Sequence, residues 1–377
     1  MKKTLSVILA AAMSASLLAG CGGSSTATTT AAPAATEAAT EAATEAAAET
    51  EAAETEAAAE TEAAAETEAA ASDFQTDYNE KWIVAVNTSE GDILYEAVDK
   101  FCQLMEEYTN GAVTCELYGG TQLGSGQELL EGMSYGVANV YAESIGTLAP
   151  FTGYANIDAV PYLYSGYDHF IKTWHSDLGE EMRNTIGDAA GFKILGGMYR
   201  GARITTAKKE MKTVDDFAGF KLRAPGIDVY VKTWEWLGAS PTPLPITETY
   251  TAIQQGTVDG QENPISECYN YGFYEVCPYW IKTNHVYSQD CFFMDKTFYD
   301  NLPAEIQEVA AKAADEASDW RNNAMVEREK EVEQKAIDAG VTIVDVDTTE
   351  FMEKFDGFVE EVFPDLVDWA NRIREMA

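Results

Sequence analysis

The sequence predicts an α/β chain of two lobes, each a mostly parallel sheet flanked by helices, joined by crossover strands and a long helix. Three observations carry this. Strand-like and helix-like segments alternate from Lys81 onward, the pattern that winds a parallel sheet with helices on both faces. About 300 residues follow residue 77, enough for two hydrophobic cores rather than one. An amphipathic run from Pro303 to about Ala339 is too long for a single lobe, so it should kink or lie across both.

The chain opens with Lys2-Lys3 and an apolar run from Leu5 to Leu18, a basic region and short hydrophobic region that read as a signal peptide over residues 1–20. The run is too short and too rich in Ala and Ser for a membrane span. It closes with Leu18-Ala19-Gly20-Cys21, which resembles a bacterial lipobox. On that reading Cys21 carries a lipid anchored in the outer face of the cytoplasmic membrane. The alternative is an ordinary secretory signal with Cys21 incidental. Residues 21–77 then form a linker of Ala, Thr and Glu, with little to bury against its chain entropy. Its glutamates at 37, 41, 45 and 49 repeat at i,i+4 without lysine partners, which opposes helix.

Residues 1–77 hold 13 acidic groups and two lysines, leaving 50 acidic against 23 basic groups, a net −27, in the rest. Such a domain repels nucleic acid and anionic lipid surfaces. To bind an anion it must concentrate a few cations in one place.

The elements follow in order. Lys81 to Asn87 is a strand, Asp92 to Thr109 a helix with Val98, Phe101 and Met105 on one face, and Val113 to Tyr118 a second strand. The loop Gly119–Gly126 lacks the Lys-Ser/Thr of a phosphate loop and reads as a plain βα connection. Glu128 to Tyr135 is helical, and Gly136 to Glu143 is a third strand. An aromatic stretch from Phe151 to Trp174 reads as core or cleft wall, with one helix over Asp168–Ile186. A strand over Phe192–Tyr199 leaves Arg200-Gly201-Ala202-Arg203 at its exit. Thr213 to Asp216 is a capping box. Tyr279 to Met294 is a strand crossing between lobes, and Val341 to Val346 a last strand before closing helices. The lobes are expected at 78–201 plus 289–328 and at 202–288 plus 329–377.

Catalytic readings find little support. His169, His175 and His285 have no metal-ligand spacing, and no nucleophile signature appears. No cofactor is expected. Cys102, Cys115, Cys268, Cys277 and Cys291 are expected mostly as buried thiols, with at most one or two disulfides.

The most informative stretch is Gly219 to Pro264. Phe220–Ala224 is a strand that stops at Pro225-Gly226 and delivers Arg223 to the turn. A helix over Asp228–Leu237, a strand over Ala239–Pro245, a helix opened by Thr247 and a strand after Gly256 complete a βαβαβ run, whose strand ends collect ligands. Lys221-Leu222-Arg223, Leu237-Gly238-Ala239, Glu248-Thr249-Tyr250, Gln255-Gly256 and Val258-Asp259-Gly260-Gln261-Glu262-Asn263-Pro264 together resemble the extracytoplasmic solute-binding proteins of tripartite ATP-independent (TRAP) transporters. The resemblance implies a two-lobed periplasmic-binding-protein-like fold that captures a small organic acid and delivers it to membrane permease subunits. It implies that Arg223 holds the ligand carboxylate, assisted by Arg203 and Asn263. It also implies that Asn87 and Glu143 contact hydroxyls, as in members binding sialic and other sugar acids. Tyr250 and Ile246 either wall the site or pack in the core, and the residues fit both readings equally well. An arginine's planar fork matches two carboxylate oxygens. Glu143 would repel a second carboxylate, so a sugar acid is favoured over a C4-dicarboxylate. Ion pairing of these arginines with Asp215, Glu262 or Glu267 is the structural alternative. The binding protein of an ATP-driven importer, a secreted enzyme on a similar scaffold and an adhesive surface lipoprotein are the rival functions.

Overall fold

A computed structural model describes residues 74–377 apart from Thr121 and Ser125. The expected signal peptide, Cys21 and the linker up to residue 73 lie outside the described residues. The folded region starts a few residues earlier than expected. Phe74 packs against the first core, and Thr76 Oγ1 donates to Glu305 at 2.9 Å.

Strand β1 (Glu80–Val86) is a near-continuous apolar run with Trp82, Val84, Ala85 and Val86 buried, as a strand covered on both faces requires. Asp92 caps α1 (Ile93–Tyr108) by accepting from Leu94 N at 2.8 Å. Phe101 of α1 reaches the sheet and stacks on Phe292 at 4.7 Å. After β2 (Val113–Tyr118), α2 (Gly126–Met133) and β3 (Val140–Ser144), the three strands lie parallel in the order β2-β1-β3.

Where one helix is expected over 168–186 there are two, α3 (Tyr167–Trp174) and α4 (Asp177–Ala190). The chain leaves helix at His175, and Ser176 restarts it by accepting from Gly179 N. The next difference matters more. The strand expected to end at Tyr199 continues as β4 (Phe192–Ala207), 16 residues long. Arg200 and Arg203 are therefore inside a strand. Register shifts at Leu195/Met198 and Tyr199/Ala202 bend it, with Gly196 at φ 68 and Gly201 at φ 99.

The expected βαβαβ unit is present as β5 (Lys221–Ala224), α5 (Asp228–Trp236), β6 (Ser240–Pro243), α6 (Ile246–Gln254) and β7 (Gly260–Pro264). Helix α6 begins directly after Pro245 rather than at Thr247. Both β6 and β7 pair parallel with β5. After α7 (Ile265–Asn270), the single crossing strand expected over 279–294 is two strands, β8 (Tyr279–Lys282) and β9 (Tyr287–Asp295). The break contains Asn284 at φ 41. Then come α8 (Lys296–Asp300), α9 (Ala304–Asp338), β10 (Thr342–Asp345), α10 (Thr348–Lys354), α11 (Phe358–Val362) and α12 (Val367–Arg374).

The sheet order β2-β1-β3-β9-β4-β7-β5-β6 shows how the lobes join. The first part of β4 pairs antiparallel with β9, and its last residues pair with β7 on one side and β8 on the other. One strand thus belongs to both sheets. Helix α9 also spans both lobes. Tyr108 Oη donates to Glu316 at 2.6 Å and Arg328 pairs with Glu96 at 3.0 Å on the first, while Lys282 pairs with Glu333 at 2.6 Å on the second. The closing helices are shared too. Phe351 meets Phe217 edge-on, whereas Trp369 and Arg372 engage Glu181 of α4. The segment that the sequence assigns to the second lobe therefore contacts both. All five cysteines from Cys102 to Cys291 are free thiols.

Gly196 is where α9 presses on β4. A Cβ there would clash with Ser318 Oγ and sit 3.0 Å from the Ala314 carbonyl, at a φ that L-residues avoid. Gly196→Ala is expected to lower unfolding free energy by about 2 kcal/mol or more, from overpacking and the left-handed backbone together. Urea denaturation measures this. A loss within about 0.5 kcal/mol would show that α9 yields easily.

Candidate functional site

The parallel strands of both lobes end at one cleft. Asn87 follows the last residue of β1, Glu143 is next to last in β3, Arg223 next to last in β5 and Asn263 next to last in β7. They line, with Arg203 from β4 and Ile246 from α6, an inner chamber of about 140 Å³. Ligands of open α/β sheets collect at such carboxyl ends. Tyr250 is the exception among the expected residues. Its hydroxyl donates to Glu275 at 2.7 Å, and it lines neither this chamber nor the one outside it. One helical turn from Ile246, its side chain is directed away from the cleft.

The arginines differ sharply. Arg203 is buried, with Nε on Glu262 at 2.5 Å, Nη2 on the same carboxylate at 2.8 Å, and Nη2 also on Asn263 Oδ1 at 2.9 Å. Tyr230 covers its guanidinium at 4.7 Å. Burial alone raises the Glu262 carboxyl, but Arg203 and His285 outweigh it and hold Glu262 down to about 2. His285 Nε2 faces Glu262 at 3.1 Å and Nδ1 faces Thr283 Oγ1 at 2.9 Å; burial pushes its pKa down. Asn263 is engaged at both ends, since Nδ2 donates to Gln261 Oε1 at 2.6 Å. Arg203 and Asn263 thus face the chamber with their polar groups largely committed to one another and to Glu262.

Arg223 has no such partner. It is 4% exposed, its Nε donates to the Leu244 carbonyl at 2.8 Å, and no described carboxylate lies within ion-pair distance. Burial lowers its pKa to about 10, Arg203 adds to that, and Glu262 acts against it. The end of the guanidinium remote from Nε is left for something else.

The opposite wall carries polar groups awaiting partners. Asn87 Nδ2 donates to Glu143 Oε2, Tyr141 Oη donates to the same oxygen at 3.1 Å, and Ser144 N donates to Oε1 at 2.9 Å. Burial pushes Glu143 up to about 7, Arg200 opposes this and Asp290 adds to it. Among the described residues Asn87 Oδ1 and Thr88 Oγ1 on this wall, and Tyr230 Oη on α5 beside Arg203, are buried without a hydrogen-bond partner, and all three residues line the inner chamber. Buried orphan groups of this kind call for an occupant.

The family of the chain follows from its length of match. The model of the bacterial extracellular solute-binding proteins, family 7, matches residues 84–365. The chain belongs to this family. The C4-dicarboxylate-binding periplasmic protein DctP of Rhodobacter capsulatus is 32% identical over 69% of this chain and 77% of its own. A TRAP periplasmic solute-binding protein from Roseobacter denitrificans OCh 114, solved with bound L-galactonate, is 26% identical with a TM-score of 0.73, covering 78% of this chain and 99% of its own. One from Chromohalobacter salexigens DSM 3043, solved with bound D-glucuronate, is 25% identical with a TM-score of 0.74, covering 78% and 100%. The two-lobed fold and the TRAP solute-binding identity expected from the sequence are those of these relatives.

Residues that sequence reasoning missed include Arg200, Glu267, Thr88, Tyr230 and Tyr271, which also line the solute-binding cleft. Arg200 pairs with Glu267 and sits 3.2 Å from Asp290, which in turn takes Arg321 of α9 at 2.6 Å. Arg200 stands three residues before Arg203 in a segment that reads from sequence as a strand exit. Tyr230 and Tyr271 carry no local signal separating cleft from core.

Glu143 gives a pH test. A carboxyl raised from 4.5 to about 7 binds its proton more tightly in the folded state. Its contribution to stability therefore falls as pH rises from about 4.5 to about 7 and is flat above. Glu143→Gln should match the protonated form, so its stability relative to the wild type grows across that window. Urea unfolding at pH 4.5, 6 and 7.5 reads the difference, and a constant gap would show that folding leaves the Glu143 carboxyl unshifted.

Proposed function

We propose that this TRAP solute-binding protein captures a sugar acid by its carboxylate on Arg223, with the sugar hydroxyls toward Asn87, Thr88, Tyr230 and Glu143. The observation that carries the proposal is the contrast among the arginines. Arg200 and Arg203 each have a carboxylate, and buried Arg223 has none. A ligand carboxylate would complete it with charge-assisted bonds in a dry site. Orphan hydroxyl and amide groups around the chamber, Asn87 and Thr88 on the facing wall and Tyr230 beside Arg203, suit a polyhydroxy body. The relatives solved with L-galactonate and D-glucuronate support the same class. Arg203 and Asn263 act as positioning residues around Arg223, and Ile246 walls the site.

Contacts from both lobes exist together only when the cleft is closed, so ligand shifts the chain toward closure. The closed form then passes the acid to the permease subunits of the transporter, and a lipid on Cys21 holds the chain near them. A C4-dicarboxylate is the second reading, favoured by the dicarboxylate-binding relative. Glu143 and Glu267 in the inner chamber oppose it.

A thermal-shift screen of D-glucuronate, L-galactonate, C4-dicarboxylates, 2-oxo acids and neutral sugars tests this. Ligand at about 100 times its Kd adds about 2.7 kcal/mol of stability. Sugar acids should shift the wild type, and Arg223→Ala should abolish the shift without lowering the ligand-free Tm, since it removes an unpaired buried charge. A variant that unfolds early without ligand would make Arg223 a structural residue instead. For the anchor, Cys21→Ser should move the chain from the membrane fraction to the soluble one. Retention of the variant in membranes would discount the lipid.

A further inference from the structure

The cleft does not end at Arg223. A second chamber of about 430 Å³ lies outside the inner one and shares Asn87, Glu143, Arg223 and Ile246 with it. The two differ in chemistry. The inner chamber adds Arg200, Arg203, Asn263 and Glu267, whereas the outer adds the apolar Pro150, Pro243, Leu244 and Pro245 together with the uncharged Gln127 and Thr247. Among its described lining residues the outer chamber has no charged side chain beyond the shared Glu143 and Arg223. Glycines 120, 124 and 126 complete it from the first lobe.

The apolar wall is tied to the clamp. The Leu244 carbonyl accepts from Arg223 Nε at 2.8 Å, and Leu244 N donates to the Ala224 carbonyl at 3.2 Å. Pro243 is in register with Ala224 across β5 and β6, and the prolines on either side of Leu244 fix its backbone. Wall and guanidinium belong to one rigid piece of the second lobe, so both move together on closure. Any ligand held by Arg223 has this wall beside it.

A free hexuronate bears oxygen on every carbon. Its hydroxyls pressed against prolines and leucine would lose water without gaining partners. An apolar substituent there gains from burial. In a hexuronate the anomeric carbon and the carboxylate-bearing carbon flank the ring oxygen, and in a β-glucuronide both carry equatorial substituents that diverge, so an anomeric substituent leaves the ring in a different direction from the group that Arg223 holds. We infer that the preferred ligand is a hexuronate glycoside with an apolar alkyl or aryl aglycone, the sugar acid in the inner chamber and the aglycone against Pro150 and the Pro243–Pro245 wall. This rests on the sugar-acid reading above and narrows it.

Isothermal titration calorimetry of the full chain with D-glucuronate, methyl β-D-glucuronide and phenyl β-D-glucuronide tests the inference, with L-galactonate as a reference acid. Phenyl glucuronide is expected to bind at least tenfold tighter than D-glucuronate, with a more negative heat-capacity change. The ratio of the two affinities should fall toward one in Leu244→Asn and in Pro150→Ser. These come from opposite walls, so failure of one to fold leaves the other. D-Glucuronate or L-galactonate binding while phenyl glucuronide binds no tighter would overturn the inference and leave the sugar-acid reading standing. No binding by any of the four would remove that reading, and the inference with it.

Discussion

A guanidinium buried without a carboxylate is the constraint on which the site depends. Burying one ion of a pair alone is strongly unfavourable, and Arg223 is held in that state by a backbone carbonyl on Nε and by the strand that carries it. Nearby acids could have relieved it but are committed elsewhere: Glu262 to Arg203, Glu267 to Arg200, Asp290 to Arg200 and Arg321. Folding thus gives three arginines a carboxylate and leaves the fourth without one. On the proposed function that cost in the empty protein is returned on binding, the usual trade between stability and function at a site.

The architecture makes this separation sustainable. Because β4 serves both sheets, its arginines lie at the junction of the lobes, where β7, β9 and α7 can each offer an acid. Arg223 is on β5, one strand further into the second lobe, and its neighbours β6 and β7 present Thr242 and Gln261 in register rather than carboxylates. The step from β4 across β7 to β5 separates arginines that carry a carboxylate of the protein from one that carries none.

Much of this was legible in the sequence, and the gaps have physical causes. The βαβαβ unit and Arg223 could be read because apolar runs and the Pro225-Gly226 turn are local signals. The break at His175–Ser176, the division of 279–294 into β8 and β9, and the continuation of β4 through Arg203 could not. Each is decided by pairing with distant strands or by a cap that competes with an otherwise helical pattern. Arg203 and Asn263 were expected beside the ligand carboxylate. Both line the chamber, but their pairing with Glu262 is a matter of strand register, which no local pattern reveals. Tyr250 was placed by its neighbours in sequence, and a single helical turn was enough to aim it at Glu275.

The charge left in the cleft restricts its occupant further than shape does. Once the internal pairs are counted, Arg223 and Glu143 remain. With Glu143 held near 7 by burial, its proton is present much of the time at neutral pH. A monoanion then brings the closed site close to electrical balance and can accept a hydrogen bond from the protonated Glu143 through a hydroxyl. On the sugar-acid reading, a dianion would bring a second charge into a chamber too small to keep it hydrated, where the other arginines are already paired. That cost is felt most when the lobes close and water leaves. If Arg223 is the ligand's cation as proposed, discrimination between mono- and dicarboxylates would arise at closure rather than at first encounter, so a dicarboxylate could enter the open cleft and still fail to stabilise the closed form.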